Sequence, residues 1–228
     1  MAALARPLSP MRLIWHRFLQ SLTPGVRTVL GVLAVAYLAE VMGRWSSAFD
    51  LSAWLALSGP AFWKGRVWSV ITFVLLPAGI LDFLFNGMMI TCLGPLIERA
   101  WSRGQLWSFC LITAAGAGLV KVVFQPSNSA LLTGTGPVVF GLLAAWARLY
   151  GGEEIRLGFI WQTTVRRAAL ALAAITFLMM AARAGLVEAV VTLSGGLVGW
   201  LYLSLRWKVN LARRSRPVTS ERMSRLEL

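Results

Sequence analysis

Gly134, Thr135, Gly136 and Pro137 form a turn of small residues that leads straight into an apolar run ending near Trp146. A Gly-x-Gly-Pro turn at the mouth of a membrane helix is a place where a hydrolase would hold its nucleophile, yet no serine stands there. Proline suits a first helical turn, where its missing N–H has no intrahelical partner. The free amides of such a helix start can hold a carbonyl or an anion. A base is scarce as well, because the sequence contains one histidine, His16. Lys121 with Ser127, Ser129 or Thr135 would supply a base and a hydroxyl, but none of these pairs has a recognisable spacing. Asp82 is the remaining group with chemistry. It stands in the middle of an apolar run, where a carboxylate costs at least ~2.5–3.5 kcal/mol on insertion scales, so it is expected to face the interior of a helix bundle. Its two readings are a hydrogen-bonded structural acid and a group that handles a proton, a cation or a client. The sequence shows no metal-ligand cluster, phosphate loop or cofactor motif, so no metal and no cofactor are expected.

The elements that must position these groups are membrane spans. Of 228 residues, 57% are hydrophobic and 14% charged, and the mean hydropathy is +0.69. A soluble domain of this size could not bury so much apolar surface. Apolar runs mark six spans, Thr28–Met42, Val67–Leu93, Gln105–Phe124, Leu131–Ala147, Ala168–Ala182 and Leu186–Leu205. Some fall short of the ~20 residues that cross a bilayer core, so flanking residues must complete them. Cys92 and Cys110 both lie in apolar segments and read as small core residues. The first apolar run lacks the cleavage site of a signal peptide and is expected to stay in the protein.

Charge supports this count and gives an orientation. Six spans leave both termini on one side. That side collects 17 basic residues: 4 in the N-terminal segment, 2 after span two, 4 after span four and 7 in the tail. The other side has 5: Arg44, Lys64, Arg66, Lys121 and Arg183. The rich side is expected to be cytoplasmic. The net charge of +13 is therefore a membrane signature, and nucleic acid is not an expected partner. The chain divides into a cytoplasmic segment, 1–25, a membrane domain, 26–207, and a basic tail, 208–228. Met11–Leu22 reads as an interfacial helix. Between Arg44 and Arg66 the loop carries Trp45, Trp54 and Trp63 and is expected to lie in the outer interface. Lys121, near the outer end of span three, is expected to snorkel to that interface.

From about Leu22 to Trp207 the chain resembles the rhomboid intramembrane serine proteases. The resemblance rests on "LTPGVRTVLGVLAVAYL", "GRVWSVITFVLLP", "DFLFNGMMITCLGPLIERAW", "GTGPVVFGLLAA" and "TLSGGLVG", five pieces in the family's order. It implies an all-α, six-helix membrane bundle with a serine–histidine dyad near the outer face. This sequence departs from the family at the chemical positions. The nucleophilic serine falls on Gly136 and the general-base histidine on Thr192. The two histidines before the span-two asparagine fall on Pro77 and Asp82, and the arginine of the Trp-Arg motif falls on Ser69. Trp68, Asn86, Glu98, Gly134, Gly141, Gly195 and Gly199 are retained. His16 precedes span one on the opposite face, beyond the about 2.6–3.2 Å that a nucleophile and base require.

The expectation is a catalytically dead rhomboid-like pseudoprotease with no catalytic residues. Asp82, Asn86, Gly136 and Thr192 form its polar interior and bind transmembrane helices of other membrane proteins without cleavage. Gly134, Gly141, Gly195 and Gly199 pack span four on span six, and Glu98 with Arg99 and Arg103 orders the cytoplasmic loop. The rival readings are a rhomboid-family endopeptidase with relocated catalytic groups and a proton- or ion-handling protein built on Asp82. The lipid bilayer is the other expected partner, and the expected location is a bacterial inner membrane with both termini cytoplasmic.

Overall fold

The computed structural model describes residues 22–46, 50–157 and 161–214. The expected interfacial helix at Met11–Leu22, His16 and the tail beyond residue 214 lie outside them, apart from Leu22. The described chain is a helical bundle. Five helices are long and apolar enough to cross a membrane: α1 (Pro24–Ser46), α5 (Ile80–Ala100), α6 (Arg103–Phe124), α8 (Val165–Ala184) and α9 (Leu186–Arg214). Before α5 come the short helices α2 (Leu51–Leu55), α3 (Gly59–Trp63) and α4 (Ser69–Thr72), with a 3-10 turn at Phe73–Leu75. The sixth spanning element, α7 (Gly136–Tyr150), has 15 residues. At 1.5 Å per residue it is about 22 Å long, shorter than a ~30 Å hydrocarbon core.

The expected second span, Val67–Leu93, begins only at Ile80 in the structure. Hydropathy joined Val67 to Leu93, but Pro77 and Gly79, whose φ is 151°, stop the chain before α5. The residues from Val67 to Leu76 are α4 and the 3-10 turn, partly folded inward. A strand pair also interrupts the all-α pattern: β1 (Glu154–Leu157) and β2 (Trp161–Thr164) form an antiparallel hairpin between α7 and α8. One end of the bundle carries this hairpin, and the other carries the segment at 50–79.

Each end is fastened by polar groups. At the hairpin end, Glu98 accepts hydrogen bonds from the amides of Gly25 (2.8 Å) and Val26 (2.9 Å) and from the Thr23 hydroxyl. It therefore caps α1 from across the bundle, satisfying amides that a helix start leaves free. A Cβ on Gly25 would lie 2.6 Å from that carboxylate. Tyr150 reaches the Leu96 carbonyl at the same end (3.2 Å). At the other end Leu57 and Leu132 pair through two backbone hydrogen bonds, docking 50–79 on the loop before α7. Trp68 donates to the Trp54 carbonyl (3.1 Å) and Thr72 to that of Leu55 (3.0 Å). Arg66 donates to the Ala53 carbonyl and lies over the Trp54 ring. Ser69, where the resemblance expects the motif's arginine, is buried and donates to the Arg66 carbonyl (2.6 Å). Asp50 caps α2, and its bonds to Ser52 and Ala53 hold its carboxyl below the ordinary carboxylate range.

α7 is the central element, and α9 packs along it more extensively than any other pair of helices packs. Its run from Pro137 to Leu143 is buried. The opposite faces of the outer helices expose Leu38, Met42, Leu84, Leu170, Leu178 and Leu201. Apolar residues pointing outward from a packed core are what a hydrocarbon solvent requires. Cys92 and Cys110 are both free, and Cys92 is exposed on the bundle's outside rather than in its core.

Candidate functional site

The entry to α7 is built by conformation. Gly134 has a φ of 114°, a region that side-chain-bearing residues rarely adopt. Its N–H donates to the Phe73 carbonyl (3.3 Å). A Cβ there would lie 3.3 Å from Asp82 Oδ2. Gly134 therefore shapes the loop over Asp82 and takes no part in the α7–α9 seam, where the sequence reading had placed it. Pro137 sits at the first turn, and the Thr135 carbonyl accepts from both Val138 (3.0 Å) and Val139 (3.1 Å). Among the described residues the buried Thr135 hydroxyl has no partner.

Asp82 is not in mid-span. It stands in the first turn of α5, which places its carboxylate at the helix start, where negative charge is favoured. Oδ2 accepts from the Ala78 amide (3.1 Å) and Oδ1 from the Asn86 amide group (2.8 Å). Pro77, the other degenerate histidine position, precedes Ala78 and is buried. Pro77 and Gly79 bend the chain so that the Ala78 amide meets the carboxylate four residues on.

The four residues expected to form a polar interior do converge. Asp82 and Asn86 from α5, Gly136 from α7 and Thr192 from α9 line one cavity of about 40 Å³, completed by Thr176 and Arg183 from α8. Asn86 and Thr192 are buried. A Cβ on Gly136 would lie 2.5 Å from Thr192 Cγ2, so the two positions that the resemblance gives to the nucleophile and the base face each other in contact. Thr192 donates its hydroxyl to the Glu188 carbonyl one turn back (2.8 Å).

Lys121 does not snorkel. Its side chain is fully buried and pairs with Glu188 in the first turn of α9. With its ammonium in an ion pair, it is not a free base for Thr135, and Ser127 and Ser129 lie exposed on the loop. Glu188 was missed in the sequence. Its signal was an acid beside the start of span six, one turn before Thr192, needing a cation that Lys121 supplies. Arg183, in the sequence only a loop charge, lines the cavity from the end of α8. α5 and α8 scarcely touch, and each packs on α7 instead. Among the described residues no group of three or more His, Cys, Asp or Glu is placed to hold a metal.

Residues 27–210 match the family model described as eukaryotic integral membrane protein (DUF1751). Over 109 residues, 48% of the chain, the sequence is 27% identical to the rhomboid protease GluP of Bacillus subtilis (strain 168). That stretch is 21% of the Bacillus protein's length. The family description names eukaryotic proteins, which does not fit the expectation of a bacterial inner membrane, although the curated relative is bacterial.

Proposed function

The chain belongs to the DUF1751 family of integral membrane proteins, a rhomboid-like family, and from that premise we propose that it binds transmembrane segments of other proteins and does not cleave them. One observation carries this reading. The α7 entry leaves the buried Thr135 hydroxyl without a protein partner, beside a cavity walled by Asp82, Asn86, Gly136 and Thr192. A buried polar group without a partner costs about 1–3 kcal/mol. A transmembrane segment with its own unsatisfied polar group gains from the same meeting, since hydrocarbon offers it no partner. The cavity itself has room for about one water, whose share of liquid volume is ~30 Å³. A client therefore enters by parting α5 from α8, which both line the cavity and pack mainly on α7 rather than on each other. The absence of cleavage is supported by Gly136 and Thr192 at the dyad positions. Both termini are cytoplasmic in this reading, on the strength of the charge split between the two faces.

Photocrosslinking in cells from Leu81 and Met179, which flank the cavity on α5 and α8, tests the binding. The expected adducts contain membrane proteins of at least one span, and they diminish when Asp82 is changed to Leu. Crosslinks to lipid alone would count against client binding. A fluorophosphonate probe tests the chemistry. No labelling is expected, and stoichiometric labelling abolished by one Ser or Thr substitution would refute the pseudoprotease reading.

A further inference from the structure

A second, larger cavity is separate from this site. It is a crevice of about 720 Å³ between α7, α8 and α9, toward the hairpin end. Its walls are apolar: Leu143 and Ala147 from α7, Leu170 and Ala173 from α8, Leu197 and Trp200 from α9. Leu170 and Leu197 are exposed, so the crevice opens sideways, toward lipid. Its hairpin end differs in kind, because Arg148 and Arg166 line it together. Both arginines are exposed, and neither makes a hydrogen bond or ion pair among the described residues. Glu153 and Glu154, the nearest acids in the chain, pair with neither of them. The crevice is thus an apolar trough with two guanidiniums, unpaired among the described residues, at its hairpin end, and guanidiniums suit phosphate in charge and geometry.

We propose that this crevice is a binding site for an anionic phospholipid. One acyl chain lies in the trough and the phosphate is held at Arg148 and Arg166. Charge complementarity selects this occupant over a client helix, whose apolar body would leave both arginines unmatched. Basic pockets between spans bind anionic headgroups by the same logic. The inference does not rest on client binding at the α7 entry.

Native mass spectrometry of the full chain tests it, with dioleoylphosphatidylglycerol and dioleoylphosphatidylcholine offered in equal amounts. The wild type is expected to retain the phosphatidylglycerol selectively. Changing both Arg148→Gln and Arg166→Gln should weaken that retention about 25-fold, each basic contact near an anionic surface being worth roughly a factor of five. Lys64→Gln, on the opposite end, should leave it unchanged. Ala173→Phe, which fills the trough and spares the arginines, should also abolish retention and decides the matter if the double variant does not fold. A photoreactive residue at position 197 should gain the mass of one lipid. Equal retention of both lipids, retention unaffected by either variant, or a polypeptide adduct at position 197 would each overturn the proposal.

Discussion

Lys121 and Glu188 meet across α6 and α9 with the ammonium fully buried and Glu188 Oε2 unpartnered. Removing one member of a buried pair leaves the other charge uncompensated, at about 3–5 kcal/mol, whereas replacing both with apolar residues is often neutral. Lys121→Met should therefore destabilise strongly, and Lys121→Met with Glu188→Leu should recover most of the loss in reversible unfolding from mixed micelles. A double variant as weak as the single would mean that the pair does more than balance itself. The Gly136–Thr192 contact makes a second prediction. A methyl on Gly136 meets Thr192 Cγ2 at 2.5 Å, so Gly136→Ala should cost about 1–3 kcal/mol, as overpacking does. In a Thr192→Ser background, which lacks Cγ2, the same change should cost less than about 1 kcal/mol. Equal costs in both backgrounds would show that the two positions are not coupled.

Among the elements, the α7–α9 seam ranks its glycines by what stands opposite. A Cβ on Gly195 would meet the Pro137 carbonyl oxygen at 2.4 Å, which is backbone and cannot step aside. A Cβ on Gly199 would meet the end of the Phe109 ring at 2.9 Å and Gly141 Cα at 3.1 Å. Gly31 in α1 has nothing within 4 Å. Alanine substitution should destabilise most at Gly195, less at Gly199 and not at Gly31, measured as unfolding midpoints in one detergent. The reverse order would mean that α7 and α9 do not cross at this seam. Most of this level was legible in the sequence: six apolar runs, the Gly-x-x-x-Gly spacing and the convergence of Asp82, Asn86, Gly136 and Thr192. What failed did so for physical reasons. Hydropathy averages over a window and does not register that Pro77 and Gly79 end one element before α5 begins, which is why Asp82 looked central and is terminal. Single-residue reading gave Lys121 an exit to the interface because its partner lay 67 positions away. The hairpin at Glu154–Leu157 and Trp161–Thr164 lay between spans, where a reading based on apolar runs records only charge.

At the scale of the molecule, the connections between spans fix which loops share a face. Glu98 holds the start of α1, Tyr150 reaches the end of α5, and the hairpin joins α7 to α8, all at one end of the bundle. Residues 50–79 dock on the loop before α7 at the other. The start of α1 therefore lies at the hairpin end. The sequence count expects 17 basic residues on that face against 5 on the other, and short basic loops are retained in the cytoplasm. The hairpin end should therefore face the cytoplasm. Alkaline phosphatase fused after Leu228 should be inactive in a bacterial host, and fused between Lys64 and Arg66 it should be active. A cysteine placed at Gly152, beside the hairpin, should be protected from an impermeant maleimide in intact cells, and one placed at Ser129 should react. The two measurements fail differently. Activity at Leu228 with a protected Gly152 would mean an additional crossing after α9. Both results reversed would invert the whole bundle and show that loop charge does not orient this chain.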